Sequence, residues 1–427
     1  MRTIQFHFVL IASLATLTAG DIKARAVTYK ILYSFQGGSK GAGPGAGVTI
    51  GESGVLYGTT RHGGPSRVGT IFKLTPEGNS WSESVIYAFS GPDGAFPLTA
   101  GLVFGGSQVL YGTTEAGGEA AGTAFKLTPS NTGQWTQTVL WEPPVAGQSL
   151  LYGVLIGPEG TLYTPEDSGT AVALTPPNAP GGNWTATVIA SVAGTPGAGF
   201  VSDGCALYGT SFSGGTINCQ DGWWCGGAAY ELTPPAVPAG SWVTAILHEF
   251  GATPGDGGGP NGLTVGPSGV LYGETYWGGA GTLCEIQGYG FSGCGTVFQL
   301  TPPAAPGTVW TESVLYNFTG EDGDGAFPIG AVVVGQNGAL YGTTEFGGSA
   351  ASCGYFGATG CGTVFQLTPP TVAGGAWAES VLHSFSGVNG DGSSPAAVLA
   401  IGSSGVLYGT TSEGGSAGLG TVFSIVP

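Results

Sequence analysis

The chain is poor in charge, and poorest in positive charge. Asp, Glu, Lys and Arg make up 8% of its 427 residues, and the formal net charge is −17 at pH 7. All nine Lys and Arg lie at or before Lys126. Phosphate backbones and anionic lipid surfaces require clustered cations, so nucleic acid is excluded as a partner and an anionic membrane surface is disfavoured. No capped, sustained 3.6-residue apolar period exists beyond the N-terminus, which excludes long helices. No apolar run past residue 26 is long enough to cross a bilayer. Catalytic signatures are missing too: there is no Gly-x-Ser-x-Gly elbow, no His-Glu-x-x-His and no phosphate loop. Low charge does not mean disorder here. The apolar fraction is 41% and Gly numbers 84, a composition that fits many tight turns between strands.

What the chain has in abundance is repetition. Leu-Tyr-Gly occurs at Leu56-Tyr57-Gly58, Leu110-Tyr111-Gly112, Leu207-Tyr208-Gly209, Leu271-Tyr272-Gly273, Leu340-Tyr341-Gly342 and Leu407-Tyr408-Gly409, with a degenerate copy at Leu162-Tyr163-Thr164. The first unit reads as four short runs, 46–50, 55–60, 69–75 and 81–89, rich in β-branched and aromatic residues and bounded by Gly, Pro, Asn or Ser. These are strand signals. One unit of about 50 residues cannot bury enough apolar surface to fold alone. Seven four-stranded units (strands a to d) predict an all-β fold, a seven-bladed β-propeller occupying 27–427 as a single domain.

The two ends of the chain predict how the ring closes. The last unit supplies strands a to c and stops at Pro427, while Tyr29-Lys30-Ile31-Leu32-Tyr33-Ser34-Phe35 matches the strand-d run Glu83-Ser84-Val85-Ile86-Tyr87-Ala88-Phe89. The N-terminal strand is therefore expected to complete the C-terminal blade and remove both exposed edges.

Residues 1–26 read as a secretory signal peptide: Arg2, an apolar core from Phe6 to Leu17, and Ala24-Arg25-Ala26 as a small-x-small cleavage site. A secreted, extracellular or periplasmic, protein without a membrane span after cleavage is expected. Three local Cys pairs, Cys219/Cys225, Cys284/Cys294 and Cys353/Cys361, fall in equivalent insertions between strands b and c, and predict disulfide staples. Cys205 is left over and is expected as a buried thiol.

The motifs Leu-Tyr-Gly-Thr-Thr, Gly-Gly, Gly-Thr-Val-Phe-x-Leu-Thr-Pro and Ser-Val-Leu-Tyr-x-Phe recur in that order, best in 340–385 and 56–89. In this the chain resembles the GloVer tandem-repeat (choice-of-anchor) bacterial exported proteins, over essentially all of 28–427, and more distantly kelch repeats. The resemblance implies an exported repeat protein of unestablished activity. Family members often carry a C-terminal anchor segment. This chain departs from that pattern, ending at Ser424-Ile425-Val426-Pro427 inside the last blade.

In an antiparallel meander the b–c and d–a loops emerge on one face, which here carries the length variation. Its aromatics and carboxylates are the candidate ligand-binding residues: Trp223, Trp224, Tyr276, Trp277, Glu115, Glu345, Phe346 and Glu413. Aromatic platforms with acidic neighbours suit carbohydrate. Glu115, Glu345 and Glu413 could instead supply a carboxylate pair for hydrolase or lyase chemistry. Asp322 and Asp324 are a weak calcium candidate, against the simpler reading that Asp-Gly makes the turn; no other metal or cofactor is expected. His248 and His383 stand where Tyr33, Tyr87 and Tyr316 stand in other units and read as repeat-position substitutes. The expectation is a monomeric binding or scaffold module for extracellular carbohydrate or protein, with a carbohydrate-active enzyme or a purely structural cell-surface component as the alternatives.

Overall fold

The computed structural model describes residues 26–97, 101–118, 122–144, 152–179, 181–192, 194–215, 226–237, 240–251, 255–286, 291–304, 309–355, 357–372, 374–395 and 397–427. Seven four-stranded antiparallel sheets form the blades of a β-propeller. In blade 1 the order is Thr49–Ile50, Leu56–Thr60, Thr70–Glu77 and Ser80–Ala88, strands a to d from the inside out. The innermost strand is shorter than its apolar run predicts, because only two residues pair before the chain turns through Glu52–Gly54. In blades 5 to 7 strand b is longer than in blade 1 and pairs with two stretches of strand a, before and after a break in register.

The ring closes as the sequence predicts. Thr28–Ser34 pairs antiparallel with Thr421–Val426, from Thr28↔Val426 to Ser34↔Thr421, as strand d of blade 7. All seven c–d pairs share one irregularity. A single apolar residue of strand d is left without a partner: Leu32, Ile86, Leu140, Ile189, Leu247, Leu315 or Leu382. Such a bulge bends the strand and re-aims the side chains beyond it.

The Leu-Tyr-Gly repeat has a packing reason for each letter. The Leu is buried, as Leu56 and Leu340 are at 0% exposure. The Gly faces an aromatic across the b–c pair, as in Gly58↔Phe72 and Gly342↔Phe365, and a Cβ at Gly58 would run into the Phe72 ring. In the degenerate blade 3, Thr164 replaces the Gly and the smaller Val172 replaces the Phe opposite. The Tyr packs edge-on against the strand-d Trp of the next blade: Tyr57–Trp135, Tyr111–Trp184, Tyr163–Trp242, Tyr208–Trp310, Tyr272–Trp377 and, across the seam, Tyr408–Trp81. These Trp residues are half-buried. Seven apolar clusters fill the seven junctions between blades.

At the axis the inner edges of the blades almost touch. Gly262 N–H donates to the Gly330 carbonyl at 2.6 Å. The channel left between them is about 460 Å³, lined by Gly47, Gly101, Gly153, Gly199, Gly262 and Gly330 together with larger residues such as Tyr152, Phe200 and Asn261. Side chains at the glycine positions would close it.

Disulfides join Cys284 to Cys294 and Cys353 to Cys361, with Cα–Cα distances of 5.1 and 4.9 Å. Each staples a b–c loop. Cys219 and Cys225 lie outside the described residues. Cys205 is exposed, contrary to expectation. It sits in the a–b turn of blade 4, where Asp203 accepts the N–H groups of Cys205 and Ala206 and holds the turn in solvent.

Candidate functional site

In five blades the b–c loop is launched by the Thr at the fifth position of the Leu-Tyr-Gly-Thr-Thr run; blades 3 and 4 hold Glu166 and Ser211 there. Thr344 Oγ1 lies 2.8 Å from Thr363 Oγ1 and donates to the Phe346 carbonyl at 2.8 Å. Thr60, Thr114, Thr275 and Thr411 repeat the pattern with the carbonyls of His62, Ala116, Trp277 and Glu413. These buried hydroxyls fix the next two residues of the chain. The loop then reverses through two glycines with φ above zero, as at Gly347 and Gly348. A side chain on Gly347 would collide with the backbone of Asp324 and Gly325.

The first of the two fixed positions holds Arg61, Glu115, Phe212, Tyr276, Glu345 and Ser412, and the second holds His62, Ala116, Trp277, Phe346 and Glu413. Neighbouring blades meet in pairs at the first position. Arg61 lies 3.7 Å from Glu115 between blades 1 and 2. The Tyr276 phenol donates to Glu345 at 2.8 Å between blades 5 and 6. Phe212 reaches Tyr276 and Trp277, with ring centroids 6.1 and 4.9 Å apart. Burial pushes the Glu345 carboxyl above the usual range; the Tyr276 hydrogen bond opposes this, and the negative charge of Glu413 adds to it.

Tyr276, Glu345, Phe346 and Glu413 thus form one arc over blades 5 to 7. Phe212 extends it onto blade 4, a residue that carries no sequence signal beyond its place in the repeat. Glu115 stands apart with Arg61. Trp277 corrects the expectation of an exposed platform. It is 3% exposed, because its indole lies over the bare backbone of Gly258 and Gly259. Trp223 and Trp224 lie outside the described residues.

A further carboxylate lies next to this arc, on the same strand as Tyr276. Glu274 occupies the first Thr position of its repeat, where Thr343 and Thr410 donate to the carbonyls of Ala397 and Ala46, just before the paired residues of strand a in the next blade. Its side chain is fully buried against Gly342, and neither oxygen has a hydrogen-bond partner among the described residues. Burial pushes its carboxyl up to about 8.

The d–a loops use their Asp residues as latches. Asp324 accepts the N–H of Thr319, the Thr319 hydroxyl and the N–H of Gly325 at 2.7–2.8 Å. Asp391 does the same with Ser386 and Gly392, and also takes the Tyr29 phenol at 2.8 Å. Both oxygens of Asp324 serve the turn, and Asp322 is exposed. Strand-d partners complete the latch: Tyr316 at Asp324, His383 Nε2 at 3.4 Å from Asp391 and His248 Nε2 at 3.3 Å from Asp256. The Tyr and His residues occupy one register position, opposite Val297, Val364 and Ala229. Among the described residues, one group of three metal-ligating side chains converges, namely His248, Asp256 and Glu312.

The family model of the Gloeobacter/Verrucomicrobia repeat matches residues 21–219 and 281–427. The chain belongs to the Gloeobacter/Verrucomicrobia repeat family. No curated protein matches it. Among solved structures, this repeat protein is similar to a putative glucose-dehydrogenase-type oxidoreductase from Thermus thermophilus, at 15% identity and a TM-score of 0.42 over 94% of this chain and 100% of that one. It is similar to PQQ-bound aldose sugar dehydrogenase from Streptomyces coelicolor, at 11% identity and a TM-score of 0.44 over 93% and 98%. A third is PorZ, a surface component of the type-IX secretion system of Porphyromonas gingivalis, at 11% and 0.41 over 85% and 45%. None of these likenesses bears on chemistry.

Proposed function

We propose that this Gloeobacter/Verrucomicrobia repeat protein is an exported binding module that takes saccharide on its b–c/d–a face. The observation that carries the reading is the arc over blades 4 to 7: half-buried Phe212, Tyr276 and Phe346 flanking Glu345, with Glu413 exposed beside it. Aromatic rings offer stacking surfaces to the C–H faces of a sugar, and a carboxyl group accepts or donates to its hydroxyls. The disulfides support an extracellular or periplasmic location, where glycans are met. A glycan array of the mature protein tests it. Binding that Phe212→Ala and Phe346→Ala abolish, while the melting temperature holds, supports the reading. Binding that survives both changes sinks it.

A hydrolase or lyase is the second reading, and one observation favours it. Glu345 holds its proton more tightly than an ordinary carboxyl, as a general acid must, and Glu413 adjoins it. Release of reducing sugar from a bound glycan, lost in Glu345→Gln, would replace the binding module by an enzyme.

A further inference from the structure

We propose that His248, Asp256 and Glu312 bind a divalent transition-metal ion of the zinc class across the junction of blades 4 and 5. One ligand atom from each lies within 4.8 Å of the others. His248 Nε2 and Asp256 Oδ2 are 3.3 Å apart. Two ligands on a tetrahedral zinc ion, each bonded at about 2.0–2.1 Å, are separated by about that distance. The Asp256 side chain is 3% exposed and is oriented by the N–H groups of Gly251 and Gly257, the outer-shell support a metal-bound carboxylate needs. Glu312 Oε1 is buried with no hydrogen-bond partner among the described residues. It is an acceptor in a part of the chain that has no Lys or Arg to offer.

The repeat itself supplies the controls. At the junction of blades 5 and 6 the same three places hold Tyr316, Asp324 and Glu379, a phenol where the imidazole would be. At the junction of blades 6 and 7 they hold His383, Asp391 and Tyr29, which leaves one carboxylate and one imidazole. Only the 4/5 junction combines all three ligands among the described residues. The mixed imidazole and carboxylate set suits zinc over calcium or magnesium, which prefer oxygen alone. His248 comes from Val243–Glu249, Glu312 from Thr311–Asn317, and Asp256 from the loop between these blades. An ion here would tie two blades together. This site shares no residue with the saccharide arc and stands without that reading.

The test uses the whole oxidised protein with the free thiol removed by Cys205→Ser, stripped with chelator and titrated with zinc chloride in a calorimeter. One equivalent should bind and raise the melting temperature. His248→Tyr installs the residue of positions 87 and 316, so the fold is kept, and should weaken binding at least tenfold. Glu312→Gln should do the same. His383→Tyr should leave zinc affinity unchanged. Absence of zinc binding in the parent, or a His248→Tyr variant that binds as tightly, overturns the proposal.

Discussion

The same junction solves the same problem in two ways at the two ends of this chain. Between blades 7 and 1, Glu83 is buried under Lys40, 2.6 Å away, and receives the Tyr33 phenol at 3.4 Å. Between blades 4 and 5 and between blades 5 and 6, the equivalent Glu312 and Glu379 have no Lys or Arg to meet. Burial raises both carboxyls, Glu379 to about 7, and the nearby Asp256 or Asp324 adds to the rise. The pairs at the start of the b–c loops repeat the contrast. Arg61 meets Glu115 at one junction, and a neutral phenol meets Glu345 at another. Where a cation is to hand, a buried carboxylate can stay charged. Where none exists, it keeps its proton or recruits hydroxyl and imidazole donors. The absence of basic residues beyond Lys126 goes with a set of raised carboxyls, Glu274 and Glu312 in blade 5, Glu345 and Glu379 in blade 6, and Glu166 in blade 3.

The harshest test of the comparison removes the seam. Deleting 27–36 takes away Tyr29 and Tyr33, and with them the outer strand of blade 7. The outer edge of Thr421–Val426 is then open, and stability should fall by several kcal/mol, on the order expected for loss of a whole paired strand. Thermal unfolding with size-exclusion measurement checks this. A monomer with an unchanged melting temperature would disprove the closure.

Next comes Glu274→Gln. The folded carboxyl is raised from 4.5 to about 8, so between these values the folded protein holds a proton that the unfolded chain has released. The wild type must lose stability as pH rises through this window. Glu274→Gln should be more stable than wild type by about 1–3 kcal/mol at pH 9, a cautious fraction of the shift, with the gain gone by pH 4. Denaturant curves across pH would show it. A gain independent of pH would mean that the carboxyl is not the cause.

Asp391 has the opposite sign. Burial pushes its carboxyl up, but hydrogen bonds from His383, Tyr29 and the Ser386 N–H outweigh this and bring it to about 2. Its contribution is present above the unfolded value of 3.8 and is lost as pH falls from about 4 to 2. Asp391→Asn should cost about 2 kcal/mol at pH 7 and flatten that acid limb. An acid limb unchanged in the variant would remove Asp391 from the account.

The smallest effects separate the two kinds of pair. Tyr276→Phe should cost about 1 kcal/mol whatever the salt concentration, the worth of one hydrogen bond to a poorly solvated group. Arg61→Ala, whose partner is 3.7 Å away with both side chains partly exposed, should cost less than about 0.5 kcal/mol, and less still in high salt. Equal salt dependence in the two would erase the distinction.

Much of the ring was legible because its signals are local and repeated seven times. Alternating runs, Gly-rich turns and a split last unit specify four-stranded blades and the N-terminal closing strand before any contact is known. The Cys284–Cys294 and Cys353–Cys361 staples were legible for the same reason: each pair lies within one loop. The candidate site was legible only as a face. Tyr276, Glu345, Phe346 and Glu413 do gather there, whereas Trp277 does not belong to the exposed set. The aromatic character of Trp277 is in its own codon, but its burial is decided by Gly258 and Gly259 on the paired strand.

The sequence by itself determined the number of blades, the strand order, the seam and the face on which variation falls, since all of these follow from period and turn chemistry along one strand. Tertiary structure alone decided the bulge at Ile86 and its six counterparts, the exposure of Cys205, the edge-on stacking of six of the seven repeat Tyr residues against the next blade's Trp, and the raised carboxyls of Glu274 and Glu379. The physical reason is common to the last two. A side chain on strand b or d spends half its surroundings on a neighbouring blade about one repeat away in sequence, and neither ring geometry nor dielectric can be read until that neighbour is in place.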